Sequence, residues 1–201
     1  MYRKIFKRLI DIAASLGALV ILAVPMIIFA LIIKHEDSGP ALFAQKRVGR
    51  GKKFFNMYKF RSMKLNTPHD VPTHLLEDPE KYILHCGRWM RKYSIDELPQ
   101  IINILRGDMS IVGPRPALWN QDDLISERDK YGANNIRPGL TGWAQINGRD
   151  ELEIPVKAKF DGEYVKRESF MFDLLCIIKT FTNVFKHKGV IEGGTGAINK
   201  L

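Results

Sequence analysis

From Ile12 to Ile33 the chain carries no charged residue. A run of 22 residues makes a helix of about 33 Å, close to the hydrocarbon thickness of a bilayer. Such a run can be a cleaved leader, a straight transmembrane span, or a hairpin that enters and leaves by the same face. A leader fits poorly, because no small-x-small cleavage site follows the apolar run. A straight span fits the length. Two features favour the hairpin. Pro25 lies past the middle of the run, where it removes a backbone donor and crowds the preceding turn. Both flanks are also basic: Arg3, Lys4, Lys7 and Arg8 come before, and Lys46, Arg47, Arg50, Lys52, Lys53, Lys59, Arg61 and Lys64 after. Under the positive-inside rule both ends then prefer the cytoplasm. A helix broken at Pro25 satisfies both preferences, and hairpin and span stay open at this point.

A mean hydropathy of −0.15 over 201 residues leaves room for only one such segment, which excludes a polytopic membrane protein. With 45% hydrophobic and 26% charged residues the chain is neither disordered, collagenous nor a coiled-coil rod. Two cysteines, Cys86 and Cys176, cannot make a disulfide scaffold and suit a reducing compartment. The net charge of +9 favours polyanionic partners: nucleic acid, phosphorylated ligands or an anionic membrane face. Between residues 38 and 69 there is no acid, and the cations alternate with Phe43, Phe54, Phe55, Tyr58 and Phe60. The basic stretch 46–64 can therefore rest on lipid headgroups or serve as a stacking platform for nucleic acid. ALFAQKRVG and KFFNMYKF predict a β-hairpin, and the proline-rich residues 66–80 an exposed loop.

The central segment carries the chemistry. Ser94-Ile95-Asp96-Glu97 fits a capping box, with Ser94 as N-cap, Glu97 reaching back and Asp96 complementing the helix dipole. The helix would continue on an apolar face of Leu98, Ile101, Ile102 and Leu105 and stop at Gly107, with a strand from Met109 to Val112. The same residue types suit phosphate chemistry. Adjacent carboxylates can act as a nucleophile and a Mg²⁺ ligand. Arg91, Arg115, Arg137 and Arg149 lie upstream or in Pro- and Gly-containing turns, and arginine is the side chain suited to bidentate phosphate recognition. His35, His69, His74, His85 and His187 show no ligand spacing, which argues against zinc. Cys86 reads as packing rather than as a nucleophile. Met171, Leu174, Leu175, Ile178, Phe181 and Phe185 recur at helical spacing, as a core helix or an interfacial one.

The blocks KFRSM (59–63), SIDELPQIINILRGDMSIVGPRP (94–116), RPGLTGWAQINGR (137–149) and DGEYV (161–165) resemble the bacterial sugar transferases, the small monotopic phosphoglycosyl transferases. The resemblance runs from about residue 3 to residue 188. It implies transfer of a phospho-sugar from a UDP-sugar to polyprenyl (undecaprenyl) phosphate, with release of UMP and a requirement for Mg²⁺, as a first step of glycoconjugate assembly. Asp96 would be the nucleophile, forming an aspartyl phospho-sugar, and Glu97 would help hold the metal. Lys59, Arg61, Arg91, Arg115, Arg137, Arg149 and Asp161 match positions expected to bind substrate or phosphate. Trp143 and Gln145 match a block that shapes the nucleotide end or fixes loops.

The resemblance further implies the cytoplasmic face of the bacterial inner membrane, membrane lipids and downstream glycosyltransferases as partners, and no nucleic acid. The expected fold is α/β in the loose, α+β sense. Residues 1–36 form the re-entrant helix, 37–190 a mostly helical catalytic domain with short strands and interfacial helices, and 191–201 a flexible tail. Two departures stand out. Val24 precedes the proline where the family usually has Ser, and Gly162-Glu163 replace residues that are commonly aromatic. Two competing functions are a membrane-anchored nucleic-acid or lipid-binding protein using residues 46–64, and a direct glycosyltransferase in which the sugar bond itself breaks.

Overall fold

A computed structural model describes residues 2–67, 79–148 and 152–185. The expected tail, Arg149, His69, His74, His187 and most of the expected loop 66–80 lie outside the described residues.

A π-helical turn, Tyr2–Phe6, leads into helix α1, Lys7–Glu36. Helical structure continues on both sides of Pro25, so the proline removes one rung of the ladder without ending the helix. Most of α1 is bare: Leu16, Val20, Ile21, Val24, Ile27 and Leu31 are exposed. Among the described residues it is the helix long and apolar enough to cross a membrane.

Its two polar ends are fastened to one and the same globular body. At the start, Lys7 Nζ lies 2.5 Å from Asp173 Oδ2, and Arg8 donates to the carbonyls of Ile104 (2.6 Å) and Leu105 (2.9 Å). Asp11 accepts from Ser110 Oγ (2.8 Å) and the Ile111 N–H (3.1 Å). At the far end, Glu36 accepts from the backbone N–H groups of His85 and Cys86, and Asp37 pairs with Arg61. Phe29 and Ile33 join a core cluster with Phe60, Leu84 and Met90.

Strands β1, Leu42–Val48, and β2, Phe54–Phe60, form the expected antiparallel hairpin, with Leu42 opposite Phe60 and Val48 opposite Phe54. The turn uses positive φ at Gly51 (65°) and Lys52 (62°). Helix α2, His85–Lys92, follows, then a 3₁₀ turn, Ile95–Glu97, and helix α3, Gln100–Arg106. Gly107 ends α3 in the left-handed conformation, φ 91°, as expected. The buried face of α3 differs from the expected one: Gln100, Ile101, Asn103 and Ile104 face inward, so two amides replace Ile102 and Leu105.

Strand β3, Ser110–Val112, pairs in parallel with β4, Gly139–Thr141. Helices α4, Asp122–Asp129, α5, Trp143–Ile146, α6, Ile154–Arg167, and α7, Phe170–Phe185, complete the body. Helix α7 buries Phe172, Asp173 and Cys176 but exposes Phe170, Met171, Leu174, Ile178 and Phe181. Most of the apolar set expected on this helix therefore lies outside the core. The molecule is thus a mixed helix-and-strand fold: a long apolar N-terminal helix on a small body with short strands.

Candidate active site

Two turns bring the motifs together. Leu84 donates to the Ser62 carbonyl at 3.0 Å, and a Cβ on Gly87 would stand 2.3 Å from that same oxygen. Helix α2 therefore packs backbone-to-backbone on the segment after β2, with Arg91 in its last turn. A second close approach joins Gly113 to Gly139 and Gly142: added Cβ atoms there would lie 2.1 Å from Gly113 N and 2.0 Å from Gly113 O. These glycines let the GPRP and RPGLTG turns touch, and so aim Arg115 across the end of α3.

Ser94 adopts the left-handed conformation, φ 57° and ψ 25°, and its side chain makes no capping bond. The capping-box expectation is therefore corrected. An N-cap needs extended backbone so that its oxygen can reach the N–H two or three residues on, and Ser94 instead reverses the chain out of α2. A non-glycine residue held at positive φ costs about 1–2 kcal/mol, and its occurrence here marks a site where position outweighs local comfort. Asp96 and Glu97 sit in the tight turn that follows, both buried at 8% exposure.

Around them stand three cations. Lys59 Nζ, from β2, lies 3.0 Å from Glu97 Oε1 and 3.7 Å from Asp96 Oδ2. Arg115 Nη2 reaches the same Glu97 oxygen at 2.9 Å. Burial pushes the Asp96 carboxyl above its usual value, Lys59 pulls it down, Glu97 pushes it further up, and Arg91 and Arg115 pull it down again. Glu97 is clamped by two charge-assisted bonds, whereas Asp96 stands beyond hydrogen-bonding distance of Lys59. This asymmetry suits one carboxylate to orient and the other to react. The donors also fit Mg²⁺, which takes hard oxygens and is held by one or two carboxylates plus phosphate oxygens. Two carboxylates here already converge on one cationic group.

Lys59, Arg91, Asp96, Glu97 and Arg115 are thus brought together; three other expected residues are not. Arg61 is buried, bonded to Asp37 and to the Pro40 carbonyl at 2.8 Å. Arg137 donates to the Gly107 carbonyl at 2.9 Å, at the end of α3. Asp161 is 1% exposed and pairs with Arg128 Nη2 at 2.6 Å, joining α6 to α4. Each is a tie within the body, which its Pro/Gly or acidic context in the sequence does not distinguish from a ligand contact. Trp143 donates to Glu163 at 2.9 Å and Gln145 to the Leu140 carbonyl at 3.0 Å, so this block fixes loops.

The cations of 46–64 are divided rather than gathered. Lys46 lies over Phe54 and Trp119, Arg47 bonds Gln45 and the Pro116 carbonyl, Lys52 pairs with Asp129, and Lys59 and Arg61 point to different acids. Of the five interleaved aromatics Phe60 is buried, whereas Phe43 and Phe54 are exposed. Burial and the neighbouring Glu36 push the Cys86 thiol up to about 12, far from a thiolate nucleophile. Sequence reading missed the polar locks of α1, above all Asp173, which takes Lys7, Tyr2 (2.6 Å) and Tyr164 (2.7 Å). A lone acid in an apolar helical stripe was its only signal.

Comparison with known proteins identifies the family. The family model "Bacterial sugar transferase" matches residues 2–187. "Uncharacterized sugar transferase EpsL" of Bacillus subtilis is 38% identical, over 92% of this chain and 90% of its own. "Undecaprenyl-phosphate galactose phosphotransferase" of Salmonella typhimurium is 35% identical over 92% of this chain, and "UDP-glucose:undecaprenyl-phosphate glucose-1-phosphate transferase" of Escherichia coli is 35% identical over the same share. The chain spans only 42% and 41% of the length of those two enzymes. A buried carboxylate pair ringed by cations, with a likeness that runs almost end to end, settles the family: the chain is a bacterial sugar transferase family member.

Proposed function

We propose that the protein transfers a sugar phosphate from a UDP-sugar to undecaprenyl phosphate at the cytoplasmic face of the bacterial inner membrane. The observation that carries this reading is the asymmetric dyad: Asp96 is buried, ringed by positive charge and left out of the clamp that holds Glu97. The names of the relatives support the acceptor and the type of group moved.

In the first half-reaction an Asp96 carboxylate oxygen attacks the phosphorus that bears the sugar. The bond to the UMP oxygen breaks, UMP leaves with the electron pair, and an aspartyl phospho-sugar remains. In the second, an oxygen of the polyprenyl phosphate attacks the same phosphorus and the Asp96 carboxylate leaves. Lys59, Arg91 and Arg115 stabilise the charge that builds on the phosphoryl oxygens, in a buried setting where such contacts count for more than in water. Glu97, with the Asp96 carboxylate beside it, would hold a Mg²⁺ whose charge offsets that of the diphosphate. The polyprenyl-diphospho-sugar product is the class of substrate that glycosyltransferases extend.

The fastening of both ends of α1 to one body supports a re-entrant helix: a straight span would put Lys7 and Glu36 on opposite faces of the membrane. The outward apolar face of α7 supports an interfacial position for that helix. The test is product analysis with a panel of UDP-sugars and undecaprenyl phosphate. UMP with a donor-dependent mass increase on Asp96 is the expected result. UDP would mean glycosyl transfer, and neither nucleotide would leave lipid or nucleic-acid binding.

A further inference from the structure

Asn103 lies one to two turns beyond the dyad, is 0% exposed, and takes no part in the chemistry proposed above. Its side-chain amide makes three contacts. The oxygen accepts from the Tyr58 N–H at 2.9 Å, and the NH₂ donates to the Asn56 carbonyl at 2.8 Å and to Asp108 Oδ2 at 3.2 Å. The two backbone groups flank Met57 on the edge of β2 turned away from β1. A neighbouring strand would engage this same pair, giving its N–H to one and its C=O to the other. The carboxamide of Asn103 therefore imitates the N–H and C=O that one residue of a third strand would present, and no other side chain of its length offers a donor and an acceptor in one plane. Lys59 is the next residue along β2.

We propose that Asn103 is a positioning residue: by closing the free edge of β2 it sets the height of that strand against α3, and hence places the Lys59 ammonium between Asp96 and Glu97. Asp108, held by the same amide, keeps the NH₂ turned toward the strand. The role rests on the phospho-sugar transfer reading only for its effect on turnover; the placement of Lys59 is measurable without it.

Two readouts decide. The first is the rate at which an acylating reagent modifies Lys59, followed by peptide mass spectrometry on the full chain in detergent. With its ammonium held at 3.0 Å from Glu97, Lys59 reacts slowly in the wild type and several-fold faster in Asn103→Ala. The second is UMP release from UDP-glucose, UDP-galactose or UDP-N-acetylglucosamine, whichever the wild type turns over, with undecaprenyl phosphate. Misplacement by about 1 Å costs about 100-fold, so Asn103→Ala falls by that order, chiefly in kcat. In a Lys59→Ala background the same change costs little more, because the two act through one contact. Leu124→Ala, in a separate cluster with Val48 and Ala117, lowers Tm without changing Lys59 labelling.

Should Asn103→Ala fail to fold, Asn103→Asp carries the test, since it keeps the acceptor for Tyr58 and loses both donations. Unchanged Lys59 labelling, or losses that simply add in the double variant, would overturn the role. A wild type that releases no UMP from any donor overturns the transfer reading instead and leaves the labelling result to judge Asn103.

Discussion

Replacing Asp96 by Asn removes the attacking charge and almost nothing else, because the turn that holds it owes nothing to a capping bond. Turnover is expected to fall by about 10⁴-fold or more, with Tm close to the wild type, and the donor-dependent mass adduct to vanish. Survival of turnover in this variant would remove Asp96 from the mechanism. Arg115→Lys keeps the charge but loses the planar fork that reaches Glu97 and, in the proposed reaction, a phosphate, and should cost about 1.5–3 kcal/mol, or 10- to 150-fold, in kcat/KM. Asp161→Asn should behave oppositely. It strands Arg128 in the core, costing about 3–5 kcal/mol of stability, so Tm drops sharply while activity per folded molecule holds. Thermal melts beside activity assays separate the two classes. The sequence made these residues look alike. That Asp96, Glu97, Arg91, Arg115 and Lys59 lie together was legible from motif and chemistry. Arg61, Arg137 and Asp161 carried the same signals, yet tie loops and helices together, since an arginine that caps a carbonyl and one that awaits phosphate have the same one-dimensional surroundings.

Among the elements, alternation located the β1–β2 hairpin and Gly107 marked the end of α3 correctly, because strand period and C-cap chemistry are local. The inward face of α3 was misjudged because Asn103 and Gln100 are buried by contacts from distant segments, which no helical periodicity encodes. Likewise the glycines of GPRP and RPGLTG read as turn residues, whereas their function is contact between two backbones. This distinction is testable. Gly142→Ala forces a Cβ within 2.0 Å of the Gly113 carbonyl oxygen, so β3 and β4 must part and Arg115 must move. Loss of both Tm and activity is expected, on the scale of the 1–3 kcal/mol typical of overpacking, about 5- to 150-fold. Gly17→Ala, in α1, meets nothing within 4 Å and should leave both unchanged. Equal effects from the two substitutions would show that the close approach is not what these glycines provide.

For the molecule in its membrane, the polar fastenings of α1 predict topology. In a background lacking Cys86 and Cys176, single cysteines at Arg3 and Ser38 should both resist a membrane-impermeant maleimide applied outside intact cells and both react after lysis. Labelling of either one from outside would restore a straight span. The uncharged run and its basic flanks made a membrane segment legible, but the partners of its ends were not, because they lie far along the chain: Asp173 is 166 residues from Lys7, Ser110 is 99 from Asp11 and His85 is 49 from Glu36. That spacing has a consequence for biosynthesis. At about 5–20 residues per second, the ribosome supplies Asp173 roughly 8–33 s after Lys7. For most of that interval the apolar segment has been made while Asp173, the partner of its first lock, is still untranslated. The start of the segment must therefore settle without its tie to Asp173, under lipid and flanking charge, and the globular body fastens it only afterwards, as a clasp on a shape already made.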